Sequence, residues 1–183
     1  MELKLKFKIE QVALCPKDPA RAIAFLTAIG LEEWSHDVVI AHGPVYGGIP
    51  DLNKANLAFN YQATRGLPAQ PHGIQDAPKP LELEVLHYVK GDNWMQRRGP
   101  SVSHLGMHCS QDELLDWRKA FAAQGVAVAQ EVFTQLHTNP LIAGQRWYNY
   151  VIFDTREILG VDLKFIVRYH KEPVAPPVVR GIL

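Results

Sequence analysis

The feature that most constrains this chain is an internal repeat. Each half reads strand, helix closed by glycine, two strands, then a last strand. In the first half, residues 6–14 read as a strand, and Pro16-Lys17-Asp18-Pro19 ends it and opens a helix. Proline suits a first helical turn, and an acid there favours the helix dipole. Ile23, Leu26 and Ile29 share one helical face, and Gly30 sits where a helix C-terminal glycine belongs. Strands are predicted at 37–41, 55–61 and 81–88, with a long loop rich in Pro, Gly and Gln at 65–80. In the second half, 102–109 is predicted as a strand. Ser110 and Glu113 form a capping box, a helix runs to about residue 123, and Gly125 stops it. Strands follow at 126–132, 146–153 and 161–167.

Gln11-Val12-Ala13-Leu14 corresponds to His104-Leu105-Gly106-Met107, and Leu81-Glu82-Leu83-Glu84-Val85-Leu86 to Val161-Asp162-Leu163-Lys164-Phe165-Ile166. A βαβββ unit has one open face and cannot bury its apolar side alone. Two units pairing close their sheets around a cavity. The expectation is therefore an α+β fold of two tandem βαβββ modules enclosing a shared cavity. The modules lie at 1–88 and 101–168, joined by a linker at 89–100 and followed by a Pro-rich tail at 169–183. The competing reading is a chance likeness between two ordinary α+β segments.

With 19 Lys+Arg against 19 Asp+Glu, the chain lacks the broad basic surface that nucleic-acid binding needs. Cys15 and Cys109 are too few for a disulfide framework, form no CxxC pair, and read as small hydrophobes. The N-terminus alternates apolar and charged residues, a strand signal rather than a signal peptide. No run approaches the roughly 20 apolar residues of a membrane span. A soluble, cytoplasmic protein with no membrane or nucleic-acid partner is expected. There is no glycine-rich phosphate loop and no nucleophile elbow.

Ile9-Glu10-Gln11-Val12-Ala13-Leu14, then Lys17-Asp18-Pro19 and a helix ending at Gly30, resembles the opening of glyoxalase I and its relatives in the vicinal-oxygen-chelate superfamily. Ser103-His104-Leu105-Gly106-Met107 is similar to the start of the family's second module, and Glu84-Val85-Leu86-His87-Tyr88 to the end of its first. The resemblance spans roughly residues 7–168 and rests on order and spacing. It implies one divalent metal (Zn, Ni, Co, Mn or Fe) in the cavity, with Gln11, Glu84 and His104 at three ligand positions. The fourth position, a glutamate and catalytic base in glyoxalase I, falls on Lys164. The resemblance also implies a homodimer, to which the Pro-rich tail would contribute. Three functions follow from it: a lyase- or isomerase-type metalloenzyme on a small oxygenated substrate, a metal-free ligand-sequestering protein like the bleomycin-resistance members, or an extradiol-type dioxygenase. The last would need a second histidine from His108 or His87.

The residues carry their own reading. Imidazole, carboxylate and amide oxygen suit a borderline divalent ion, and three ligands leave positions open for substrate oxygens. An ammonium, however, repels such an ion. Lys164 pairing with Glu84 would place a fixed cation where the metal would sit, which makes these two the candidate catalytic residues. Glu82 and Glu84 share one strand face, and both facing solvent is the plain alternative. A shift of two residues along that face offers Gln11, Glu82, His104 and Asp162 as a second ligand set. His104 and His108 share a face too, and either could be a hydrogen-bonded core histidine. Arg146-Trp147-Tyr148-Asn149-Tyr150 and Arg168 are pocket candidates, with Tyr148 and Arg168 expected on the substrate. The aromatic strand could equally be packing. His36, His42, His72, His137 and His170 show no metal spacing and remain unassigned.

Overall fold

A computed structural model describes residues 5–45, 49–61, 81–90 and 101–171. The predicted loop at 65–80, most of the linker and most of the tail lie outside the described residues. The first module runs β1 (Gln11–Cys15), α1 (Pro19–Ala28), β2 (Ser35–Val45), β3 (Ile49–Asn60) and β4 (Glu82–Lys90). The second runs β5 (Ser101–His108), α2 (Gln111–Ala122), β6 (Val128–His137), β7 (Trp147–Phe153), a short α3 (Arg156–Leu159) and β8 (Asp162–Tyr169).

The strands form one closed barrel in the order β1-β4-β3-β2-β6-β7-β8-β5. Each module contributes four strands in the same internal order. The modules meet twice, through antiparallel β1–β5 and antiparallel β2–β6. The registers repeat as well. Gln11 lies opposite Glu82 and Ala13 opposite Glu84 on β1–β4, while His104 lies opposite Asp162 and Gly106 opposite Lys164 on β5–β8. Across β1–β5, Gln11 pairs with Gly106 and Ala13 with His104, so a pseudo-twofold passes between the two first strands. Gly106 answers to close approach: a Cβ there would meet Gln11 Oε1 at 2.9 Å and Gln11 Cβ at 3.1 Å.

The helices lie outside the barrel, and they are unequal. Helix α2 keeps its capping box, with Ser110 accepting from the Glu113 amide and Glu113 accepting from the Ser110 amide. It buries Leu114 and Trp117 against Phe153, Leu163, Phe165 and Val167, and Phe7 before β1 packs edge-on to Phe165. Helix α1 is N-capped by Asp18 but buries no residue fully. The predicted apolar stripe is broken there, because Ile29 is 63% exposed while Ile23 and Leu26 are half-buried.

Several strands are longer or displaced relative to expectation. β1 begins at Gln11 rather than residue 6, β4 continues to Lys90, and β6 reaches His137. β6 extends because Val39, Ile40, Ala41 and His42 of β2 pair with it, a partner supplied by the other module. Helix α3 was not expected at all. On β8, Leu163, Phe165 and Val167 belong to the core cluster packed with Leu114 and Trp117, whereas Lys164 and Arg168 line the barrel interior. The polar positions thus point inward, where each needs a partner.

Candidate active site

The barrel interior holds two adjoining cavities, of about 60 Å³ and about 70 Å³. Each has room for several water molecules, so ligands of few heavy atoms fit. One is mainly apolar, lined by residues such as Val39, Leu57, Leu86, Val132 and Ile152. The other is polar, lined by Asp37, Tyr61, Glu82, His137, Arg146, Tyr148 and Arg168 among others. Glu84, Tyr150 and Lys164 line both and form the waist between them.

Gln11, Glu84, His104 and Lys164, drawn from β1, β4, β5 and β8, meet at that waist. His104 Nε2 lies 3.0 Å from Gln11 Oε1 and 3.2 Å from Glu84 Oε2. Lys164 Nζ donates to Gln11 Oε1 at 3.2 Å and to Glu84 Oε2 at 3.4 Å, and sits 4.5 Å from the Tyr150 ring centroid. Both of the acceptors near His104 Nε2 are oxygens, so that nitrogen carries the proton. Nδ1 then accepts from the Ser103 hydroxyl at 3.1 Å. Gln11 Nε2 donates to Glu82, whose other oxygen accepts from Tyr61 at 2.7 Å.

This network sets the charges. Burial opposes ionisation of Glu84, but the Lys164 charge and the hydrogen bond from His104 overcome it and pull the carboxyl down to about 2. Burial, then the Lys164 charge, depress His104 to about 4, so its imidazole is neutral at pH 7. The Cys15 thiol is pushed up by burial and then by Glu84, and burial carries Cys109 to about 12, so neither is an activated thiol.

A divalent cation does not fit these groups as they stand. His104 uses Nε2 as a donor, the Gln11 oxygen is committed to His104 and Lys164, and the Lys164 ammonium touches the carboxylate a metal would need. Among the described residues, no three His, Cys, Asp or Glu side chains are arranged to hold a metal ion. In the second candidate ligand set, Glu82 lines the polar cavity, but Asp162 is fully buried and accepts from Arg156 Nε at 3.2 Å and Nη2 at 3.1 Å. That guanidinium also donates to the Val102 and Ser103 carbonyls, pinning the end of β8 to β5. The reading in which Glu82 and Glu84 both face solvent is corrected: Glu84 is 2% exposed, and both acids turn into the barrel.

Of the substrate candidates, Tyr148 is buried on the polar cavity wall and stacks with Tyr150 at 5.5 Å, while Arg168 stands exposed at the rim, 5.8 Å from the Tyr148 ring. His108 is also at this rim, holding Glu10 through Nδ1 at 3.0 Å and facing Arg168 through Nε2 at 3.4 Å. His87 is exposed on β4, away from this cavity's lining. Sequence reasoning selects neither Asp37 nor His137, yet they meet inside the same cavity. Their Oδ2–Nδ1 distance is 2.6 Å. Asp37 opens the strand predicted at 37–41, whereas His137 lies beyond the one predicted at 126–132, so no signal in the sequence joins them.

No family model matches this chain, and no curated protein matches it. Solved structures of similar shape include a hypothetical protein from Bacillus halodurans C-125, 12% identical with a TM-score of 0.47, over 91% of this chain and 97% of that one. Another is a variant of Streptomyces coelicolor methylmalonyl-CoA epimerase in complex with 2-nitronate-propionyl-CoA, 15% identical with a TM-score of 0.45, over 93% of this chain and 98% of that one. Similarity of this extent assigns neither ligand nor reaction to the chain. The tandem pair of βαβββ modules around a shared cavity is the architecture expected of the vicinal-oxygen-chelate fold.

Proposed function

We propose that the polar cavity binds a small oxygenated anion, a carboxylate-bearing carbonyl compound, and that the protein acts on it by isomerase- or lyase-type proton transfer without a metal. One observation carries the reading: the carboxylates lining this cavity are already held by protein donors, whereas two of its cations are not held by carboxylates. Asp37 is taken by His137, Thr138 and Asn139, Glu82 by Gln11 and Tyr61, and Glu84 by His104 and Lys164. Arg146 and Arg168 also line the cavity and have no ion pair among the described residues. Three carboxylates and three cations balance in charge there, and the two guanidinium groups left without a carboxylate match an incoming one in a bidentate fork.

Lys164 complements them from the floor. An ammonium has three donors, and two are used on Gln11 and Glu84. The third is free for a substrate oxygen, where a fixed charge stabilises a developing enolate as a Lewis acid would. The satisfied Glu84–Lys164 pair also favours a second reading, a sequestering protein that binds such an anion and leaves it unchanged. Titration of the protein with pyruvate and 2-oxobutyrate, followed by ligand-observed NMR, tests the binding common to both. Saturable binding weakened at least tenfold by Arg146→Gln is expected; binding unaffected by Arg146→Gln and by Arg168→Gln would refute the anion site.

A further inference from the structure

One buried group on the cavity wall is used by nothing described so far. His137 Nε2 is buried and has no hydrogen-bond partner among the described residues. A buried polar atom left without a partner is costly and calls for an explanation. Its ring, 6% exposed, lines the polar cavity beside Tyr148, whose ring centroid is 5.5 Å away. Its other nitrogen is fully committed. Nδ1 lies 2.6 Å from Asp37 Oδ2, and Asp37 Oδ1 accepts from the Thr138 amide at 2.8 Å and the Asn139 amide at 3.0 Å. Burial would raise the Asp37 carboxyl, but these hydrogen bonds hold it below its ordinary value. A carboxylate can only accept. The proton between the two therefore sits on Nδ1, and in the neutral imidazole the lone pair is left on Nε2.

We infer that His137, oriented by Asp37, is the base that takes a proton from a substrate bound in the polar cavity. The inference rests on the anion-binding reading above and names the group that performs its chemistry. The substrate class is a 2-oxo acid or related compound with a C–H bond next to a carbonyl. That C–H bond breaks and its proton forms an N–H bond on Nε2. The electron pair becomes a carbon–carbon double bond, and the carbonyl π pair moves to oxygen, giving an enolate. The imidazolium is stabilised by the Asp37 carboxylate. Return of that proton from Nε2 to the enolate oxygen or another atom on the same face completes an isomerisation and needs no other reactant. Asp37 is a positioning residue: it fixes the tautomer and touches no substrate.

The experiment follows hydrogen–deuterium exchange of pyruvate and 2-oxobutyrate in deuterated buffer by proton NMR, with nitrogen-15 spectra of histidine-labelled protein alongside. Wild-type protein should accelerate exchange over buffer, and His137 should appear as the Nδ1–H tautomer at neutral pH. His137→Gln should lower the exchange rate about 100-fold or more, the span typical of a lost general base. Asp37→Asn gives an independent readout. The Thr138 and Asn139 amides keep the amide oxygen on their side, so the NH2 faces Nδ1 and the ring proton moves to Nε2. Exchange should fall while His137 shifts to the Nε2–H tautomer and probe binding persists. Exchange unchanged in His137→Gln, or an Nε2–H tautomer in wild-type protein, overturns the assignment. Probes that bind to wild-type protein without exchanging overturn it too, leaving the sequestering reading standing. Failure of either probe to bind takes down the anion site itself.

Discussion

Glu84 and Lys164 occupy equivalent positions of the two modules, and their opposite charges meet 3.4 Å apart inside the barrel. The pseudo-twofold that relates β4 to β8 would set two like side chains against each other at this point. Opposite charges avoid that repulsion and fill the place where the family resemblance put a metal. Breaking a buried pair from one side leaves an uncompensated charge. Lys164→Met is expected to destabilise the fold by about 3–5 kcal/mol. Urea denaturation at pH 7 measures it, and Glu84→Gln combined with Lys164→Met should recover part of the loss.

Lys164→Glu changes the cavity from metal-repelling to metal-seeking. It joins a second carboxylate to Gln11, Glu84 and His104 and removes the ammonium held at 3.2 Å and 3.4 Å from two of them. Two buried carboxylates repel, so the variant should melt below wild type in chelator and recover on adding Zn, Ni or Co. Wild-type protein should show little heat of binding with the same ions in titration calorimetry. Tight wild-type binding unchanged by Lys164→Glu would place the metal elsewhere.

Acid should weaken the protein in two stages. His104 in the fold stays neutral down to about pH 4, whereas the unfolded chain's histidine takes up a proton below its ordinary value of 6.5. The unfolded state therefore binds more protons in that window, and stability falls as pH drops from 6.5 to 4. Glu84 titrates near 2 in the fold against 4.5 ordinarily, so its contribution, present above 4.5, is lost between 4.5 and 2. Urea midpoints measured across this range should decline on acidification, and His104→Gln should flatten the 6.5-to-4 segment.

Gly106→Ala tests the crowding between the two first strands. The new methyl would press on Gln11 at 2.9 Å and 3.1 Å, and overpacking of this kind costs typically about 1–3 kcal/mol. Displacing the Gln11 amide also disturbs the oxygen shared by His104 and Lys164. A double-mutant cycle with Gln11→Ala should give a coupling energy well above zero; additivity would show that the two residues do not meet.

The sequence by itself determined the repeat, the order of its elements and the register correspondence that sets Gln11 with His104 and Glu84 with Lys164. Those follow from local information: turn residues, caps such as Ser110 and Glu113, and alternation along single strands. Alternation divides a strand into two faces without saying which is inside. On β4 and β8 barrel closure decided that, turning Glu84 and Lys164 inward because each then has the other. It also paired Asp162 with Arg156 of α3, an element of four residues with no visible signal. The largest gap is the Asp37–His137 pair. These residues are 100 positions apart and in different modules, on β2 and β6, which meet only where the barrel closes. No periodicity or motif encodes such a contact, because it is created by the docking of two modules rather than by the folding of either.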